Sequence, residues 1–208
     1  VWDDVARNKW HFKRYLLHSK IVITVTFLLT VVGTILFLIT EKDAAFVGMN
    51  PLQRFLGALF SSVTPRTAGF NSVDTAALSN AGKLLTMVMM FIGGSPGSTA
   101  GGVKTTSMVV LLFYAVAMVL NKEDINLFGR RLTDEVVKKA NAVVIINATL
   151  TIVATVIIMA LQPLLNFEDV LFEVLSAIGT VGMTVGITRD LDIIARVILI
   201  VLMYCGRL

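Results

Sequence analysis

Two short segments of the sequence place threonine and glycine at the same spacing. They read Thr67-Ala68-Gly69-Phe70-Asn71 and Thr180-Val181-Gly182-Met183-Thr184, and are called here the first and second Thr-x-Gly segments. A partly dehydrated monovalent cation needs oxygen ligands in place of water, and successive main-chain carbonyls can supply them. Glycine permits the backbone conformations that aim those carbonyls to one side. The cation-binding positions predicted in this way are Thr67, Gly69, Thr180 and Gly182.

A third segment is rich in glycine and interrupts an apolar run. This glycine loop reads Gly93-Gly94-Ser95-Pro96-Gly97-Ser98-Thr99-Ala100-Gly101-Gly102-Val103-Lys104. Five glycines and a proline do not form a stable helix at mid-membrane, whereas serine and threonine hydroxyls can rehydrate a cation. Lys104 is costly at membrane depth unless it faces water or a polar partner, so it either anchors the loop or adds an electrostatic barrier. We expect the loop to act as a gate or a hinge.

The apolar runs around these segments predict an all-α membrane protein. Uncharged runs of about 20 residues, the length that crosses a bilayer, occupy residues 21–39 and 142–161. A run over residues 84–120, broken by the glycine loop, and another that begins near Ile193 bring the predicted crossings to four. With 56% hydrophobic and 15% charged residues, the composition excludes an ordinary water-soluble domain.

Two further apolar segments, residues 51–63 and 168–178, are too short to span a membrane. Each begins with residues that favour a helix start, Asn50 before Pro51 and Asn166 before an acidic pair. Each runs on into a Thr-x-Gly segment. The chain therefore repeats the order span, half-helix, glycine strand, span, and each half-helix directs the negative end of its dipole toward the cation.

This repeat divides the chain into three parts. A first pore repeat with a basic N-terminal segment occupies residues 1–121, a connector occupies 122–139, and a second pore repeat, ending inside its last span, occupies 140–208. Basic residues cluster in the N-terminal segment and in the connector, which places both in the cytoplasm. The chain begins without methionine and has no signal peptide, so we expect an internal fragment of a longer protein.

Residue types also exclude several other functions. The single cysteine, Cys205, can form neither a disulfide nor a cysteine metal site within the chain, and His11 and His18 have no neighbouring ligand residues. The net charge of +4 falls in clusters that flank apolar runs, so we expect membrane lipid and no nucleic acid as a partner. Val103 separates glycine from lysine, which excludes a nucleotide-binding loop, and we expect no organic cofactor.

The sequence resembles the bacterial Ktr and Trk potassium transporters over essentially its whole length. The resemblance rests on T-P-R-T-A-G-F-N-S-V-D, on S-A-I-G-T-V-G-M-T-V-G and on the glycine loop between them. In that superfamily one chain carries four pore repeats, and this chain is similar to the third and fourth in the membrane subunit of a Ktr-type system. The resemblance implies potassium uptake, without enzymatic chemistry, through a multi-pass pore in the bacterial plasma membrane. It identifies the Thr-x-Gly segments as selectivity filter and the glycine loop as an intramembrane gate.

The resemblance implies partners and one further gate residue. It implies a homodimer with one pore per chain, a cytoplasmic nucleotide-binding regulatory ring, and sodium as an activating ion beside potassium. Arg207 resembles an arginine that projects from the last pore-lining span toward the gate. The connector is then either a solvated loop or a docking surface for the ring.

Alternative interpretations are left open. A secondary transporter for a small organic substrate also uses discontinuous helices, which suits the broken span but not the carbonyl-rich segments. Glycines four residues apart, as at Gly93 and Gly97 or Gly182 and Gly186, also occur where helices pack closely. A non-transporting scaffold leaves Lys104 and both Thr-x-Gly segments without a role. Selectivity for potassium over sodium is open too, because two of the four filters are absent.

Overall fold

The computed structural model describes residues 1, 11, 14–97, 100–121, 126–127, 130–131 and 133–207, with backbone alone at 126–127 and 130–131. The described chain is helical, as the sequence predicts. In chain order the helices are α1 (Leu17–Thr40), α2 (Pro51–Val63), α3 (Asn80–Phe91), α4 (Thr105–Val119), α5 (Asp134–Leu161), α6 (Phe167–Ile178) and α7 (Ile193–Cys205). Two 3-10 turns (Thr75–Ala77 and Ile187–Arg189) and an antiparallel pair of two-residue strands, β1 (Asn126–Leu127) and β2 (Arg130–Arg131), complete the described elements.

Helices α1 and α5 are long and apolar enough to cross a membrane, with 24 and 28 residues. At about 1.5 Å per residue both exceed the roughly 30 Å of a hydrocarbon core. Helix α5 begins at Asp134, within the predicted connector of residues 122–139. Thr133 lies at the N-cap in an extended conformation, and the carboxylates of Asp134 and Glu135 in the first turn interact favourably with the helix dipole.

The broken apolar run forms two helices, α3 and α4, with the glycine loop between them. Neither helix spans a bilayer alone, since they have 12 and 15 residues. Ile92 and Val103 form a parallel bridge, and Thr105 N donates to Gly94 O over 3.2 Å. The two ends of the loop therefore lie side by side, and α4 begins close to the point where α3 ends.

A buried carboxylate joins the end of α1 to the start of α3. Glu41 is fully buried and accepts hydrogen bonds from Ser79 N at 3.1 Å and Ser79 Oγ at 2.5 Å. Ser79 is the N-cap of α3, and its hydroxyl also accepts from Gly82 N. Negative charge is favourable at a helix N-terminus, so Glu41 stabilises the start of α3 and fixes its position against α1.

Helix α6 is the most deeply buried element, with eight of its twelve residues buried. It packs against α3, α5 and α7, and Phe172, Val174 and Ile178 lie in the main apolar core. A second cluster joins α1, α2 and α3 around Phe37 and Phe46. The half-helix that precedes the second Thr-x-Gly segment is thus held on several sides.

Large apolar side chains cover the outer faces of the longer helices. Phe27 on α1, Leu112 on α4, Ile152 on α5 and Ile200 on α7 are each more than 60% exposed. Apolar surface of this extent would drive aggregation in water, whereas hydrocarbon covers it without cost. These faces are suited to contact with lipid.

Candidate cation site and gate

The first Thr-x-Gly segment folds back on the end of α2. The carbonyl of Thr64, the C-cap residue, accepts hydrogen bonds from Ala68 N at 3.1 Å and Gly69 N at 3.3 Å. The hydroxyl of Thr64 donates to Phe70 O over 2.6 Å. One buried residue at the end of the half-helix therefore bonds three consecutive residues in the middle of the segment.

The second Thr-x-Gly segment is held in a matching way by the end of α6. The carbonyl of Ser176 accepts from Val181 N at 2.9 Å, and its hydroxyl donates to Met183 O over 2.6 Å. In both segments, a hydroxyl on the half-helix thus binds the carbonyl of the residue after the glycine. The two Thr-x-Gly segments therefore share this hydrogen-bonding pattern as well as the spacing of threonine and glycine.

Both segments also share an unusual backbone conformation. Thr67 and Gly69 both have φ +73°, and Thr180 and Gly182 have φ +51° and +87°, while the residue between each pair keeps a negative φ. Alternation of positive and negative φ allows successive carbonyls to face one side, whereas in a regular strand they alternate. A threonine in the left-handed region costs roughly 1–2 kcal/mol. Both segments therefore accept this cost at matching positions.

The structure brings the two segments side by side. A Cβ added at Gly69 would overlap the carbonyl oxygen of Val181, so the two segments touch at Gly69. Thr75, just beyond the first segment, donates its hydroxyl to Thr184 O at the end of the second. Gly182 is exposed, and a Cβ there would meet nothing within 4 Å, so it faces open space.

The glycine loop lies directly against the start of the second segment. Gly101 N donates to Thr180 Oγ1 over 2.9 Å, and Gly102 N donates to Gly206 O over 3.0 Å. A Cβ at Gly101 would overlap the Thr180 side chain, which explains glycine at that position. The loop therefore contacts the Thr-x-Gly segment and the turn after α7 together.

The predicted gate residues take up different places around this contact. Gly93 and Gly94 are buried at the start of the loop, Ser95 and Pro96 are half-buried, and Gly97 is exposed. Ala100 is buried where the loop returns. Ser98 and Thr99 lie outside the described residues.

Two cationic residues, Lys104 and Arg207, lie near the loop. Lys104 is the N-cap residue of α4 and donates from Nζ to Ala100 O. Arg207 lies in the turn after α7, close enough for its charge to act on Lys104. Lys104 therefore anchors the return of the loop, and the two like charges together make the region electropositive.

Sequence reasoning missed three charged residues around the site. Arg66 precedes the first segment but donates from Nη2 to Thr26 Oγ1 on α1 at 3.1 Å, so its charge is directed away from the segment. Glu41 supports α3, as described above, and Glu173 is buried in α6 behind the second segment. An acidic residue in the middle of the half-helix, beyond the acidic pair of its first turn, was a signal that could have identified Glu173.

Comparison with known proteins identifies a family. Residues 9–208 match the family model TrkH, described as cation transport protein. The chain is 41% identical to the potassium/sodium uptake protein NtpJ of Enterococcus hirae over 211 residues, which cover 100% of this chain and 47% of that protein. It is 31% identical to the Ktr system potassium uptake protein B of Bacillus subtilis, again over 100% of this chain and 47% of the relative. The chain thus spans about half the length of these curated relatives.

A solved structure has the same fold. The crystal structure of the potassium transporter TrkH from Vibrio parahaemolyticus superposes with a TM-score of 0.73 over 90% of this chain and 41% of that one, at 24% identity.

Proposed function

Because the chain belongs to the TrkH family of cation transport proteins, we propose that it forms part of a potassium-conducting pore in the bacterial plasma membrane. The observation that carries the proposal is the matched pair of Thr-x-Gly segments, which share left-handed threonines and glycines and touch at Gly69 and Val181. Two such segments form part of a ring of carbonyls, and the other half of the full-length protein completes it.

In this function, the Thr-x-Gly segments are the selectivity filter. The carbonyls at Thr67, Gly69, Thr180 and Gly182 replace the water around a potassium ion. The hydroxyls of Thr64 and Ser176 hold the outer ends of the segments, and thereby set the spacing of the carbonyls. Binding requires no carboxylate ligand and no covalent chemistry.

The glycine loop is the gate in this proposal. It obstructs the inner end of the filter while Gly101 is bonded to Thr180 and Gly102 to Gly206. Movement of the loop opens the passage, and serine and threonine hydroxyls along it then replace water around the ion. Lys104 and Arg207 add an electrostatic barrier to cations in the closed state.

The proposed assembly follows the family. The full-length subunit is a multi-pass homodimer with one pore in each chain, and sodium acts as an activating ion. Relatives named as components of Ktr systems support a regulatory partner, proposed as a nucleotide-binding ring that docks on the cytoplasmic connector.

The test is potassium uptake by potassium-auxotrophic cells that produce the full-length protein. We expect Gly182→Ser to weaken potassium uptake or admit sodium, and deletion of residues 97–101 to raise flux. Gly48→Ser is a matched control. Gly48 also has a positive φ, +78°, and a Cβ added there would meet nothing within 4 Å, but Gly48 belongs to neither Thr-x-Gly segment. If neither site variant changes ion flux, the proposed pore is excluded. Uptake of organic substrates would then test the alternative, a secondary transporter, which also suits the break between α3 and α4.

A further inference from the structure

The side chain of Glu173 is buried immediately behind the second Thr-x-Gly segment. It is only 6% exposed and lies between the buried apolar side chains of Phe172 and Val174. Its Oε1 accepts hydrogen bonds from the hydroxyls of Thr184 and of Thr188, the latter at 3.0 Å. A buried carboxylate is retained in a protein only when hydrogen bonds compensate for its lost hydration, and these two hydroxyls do so.

Thr184 transmits this contact to the main chain of the segment. Its hydroxyl also accepts from Gly186 N at 2.9 Å, and its carbonyl accepts from the hydroxyl of Thr75. These bonds together hold Thr184, the last residue of the segment, against the residues packed around it. The Thr184 side chain therefore connects Glu173 to the outer end of the carbonyl row.

The first Thr-x-Gly segment has no such support at the matching position. Thr64 and Ser176 have the same role in the two copies, and the residue three positions before each is Ser61 in one and Glu173 in the other. The residues at the outer ends differ as well, Asn71 against Thr184. Glu173 is thus specific to the second repeat, and the left-handed backbone of the Thr-x-Gly segments does not require a carboxylate at this position.

Within the part of the chain that the structure describes, no cationic side chain forms an ion pair with Glu173. Asp169, one turn earlier on α6, forms an ion pair with Lys83 at 2.9 Å. The partners described for Glu173 are hydroxyl and main-chain donors rather than cations. Its carboxyl group lies behind the second Thr-x-Gly segment, where hydrogen bonds alone compensate for its lost hydration.

We propose that Glu173 is a positioning residue for ion selectivity: acting through Thr184, it fixes the outer end of the second Thr-x-Gly segment at the width that suits potassium. The inference rests on the proposed function. When the charge-assisted bond is weakened, the end of the segment relaxes, and its carbonyls no longer discriminate against the smaller sodium ion. A residue that only supported folding would change the amount of protein but not the preference between ions.

The experiment compares potassium and sodium uptake by the full-length protein, as the ratio of the apparent KM values. Glu173→Gln retains the shape and one oxygen acceptor but cannot carry a charge. We expect it to lower the preference for potassium about tenfold, the effect of replacing a charge-assisted hydrogen bond with a weaker neutral one. Glu168→Gln, on the exposed side of the same helix, is the matched control and should leave the ratio unchanged.

A double-mutant cycle with Thr184→Val tests the route of the effect. If Glu173 acts through Thr184, the double variant is no less selective than the worse single variant. Additive losses, or an unchanged ratio in Glu173→Gln, would overturn the proposal. If Glu173→Gln does not accumulate in the membrane, Thr188→Val removes one donor from an exposed turn and should shift the ratio in the same direction by about threefold; no shift there also overturns the proposal.

The outcomes separate this inference from the proposed function. Potassium uptake that depends on Gly182 but is indifferent to Glu173 contradicts the positioning role alone. No potassium uptake by the wild-type protein contradicts both.

Discussion

The backbone amide of Gly101 donates a hydrogen bond to Thr180 Oγ1 over 2.9 Å. This bond joins the proposed gate to the first residue of the second Thr-x-Gly segment. The loop cannot leave its position without releasing the threonine oxygen, which then becomes available to a cation. Opening of the gate and provision of an extra ligand are therefore expected to be one event.

Substitution of Gly101 tests this coupling. In Gly101→Ala the new methyl group overlaps the Thr180 side chain, so the loop must move away. Loss of one hydrogen bond of about 1 kcal/mol corresponds to about a fivefold rise in the open fraction, and we expect potassium flux to rise accordingly. Flux is measured as rubidium tracer uptake, with Gly48→Ala as a control for the alanine itself. Reduced or unchanged flux in Gly101→Ala would show that the loop does not close the passage.

Thr64 provides a test of the hydroxyl that holds the first segment. Thr64→Val keeps the shape of the side chain but removes the donor to Phe70 O, whereas Thr64→Ser keeps the donor. We expect the valine variant to lose about 0.5–1.5 kcal/mol of stability and to admit more sodium, because the outer end of the segment is released. Competition of sodium with rubidium uptake measures the effect. Equal selectivity of the two variants would show that the hydroxyl has no part in filter geometry.

The two glycines of the segments should differ in their tolerance of alanine. At Gly182 an added methyl group meets open space, so the cost is the left-handed φ, about 1 kcal/mol. At Gly69 the same backbone cost is joined by overlap with Val181 O. We expect Gly69→Ala to lower the melting temperature of detergent-solubilised protein further than Gly182→Ala does. The reverse order would contradict the close contact between the segments.

An ion pair between Lys83 on α3 and Asp169 on α6 links the two repeats. The two side chains are 15% and 16% exposed and lie 2.9 Å apart. We expect a coupling free energy of about 1–2 kcal/mol in a double-mutant cycle with Lys83→Met and Asp169→Asn, measured by thermal unfolding. Glu135 and Lys139, which are 76% and 75% exposed on α5, serve as the control pair. Their coupling should be only about 0.3–0.5 kcal/mol, and a similar value for both pairs would contradict a structural link between the repeats.

Local chemistry predicts much of the helical structure. The bounds of α2 coincide with the predicted residues 51–63, because Asn50 and Gln53 form a capping box and Pro51 occupies the first turn. The glycine loop separates two helices where the sequence places it. The filter and gate functions of these segments, by contrast, stay predictions.

Contacts between distant parts of the chain are not predictable from local patterns. Glu41 accepts its shortest hydrogen bond from Ser79, 38 residues away, beside a long one of 3.4 Å from Ala45 N. Glu173 depends on Thr184 and Thr188, which lie beyond the end of its own helix. The contact of Gly69 with Val181 depends on packing of the two repeats. Periodicity identifies which residues are helical, but it contains no information on which helix ends meet.

The two Thr-x-Gly segments agree at the threonine and the glycine, and differ at the other three positions. If the two segments form the proposed filter, a single codon change alters one side of it and leaves the other side intact, because one gene encodes both. A pore built from identical subunits would change on every side at once. The proposed pore would therefore change its preference among ions in small evolutionary steps, with one side retained while the other varies.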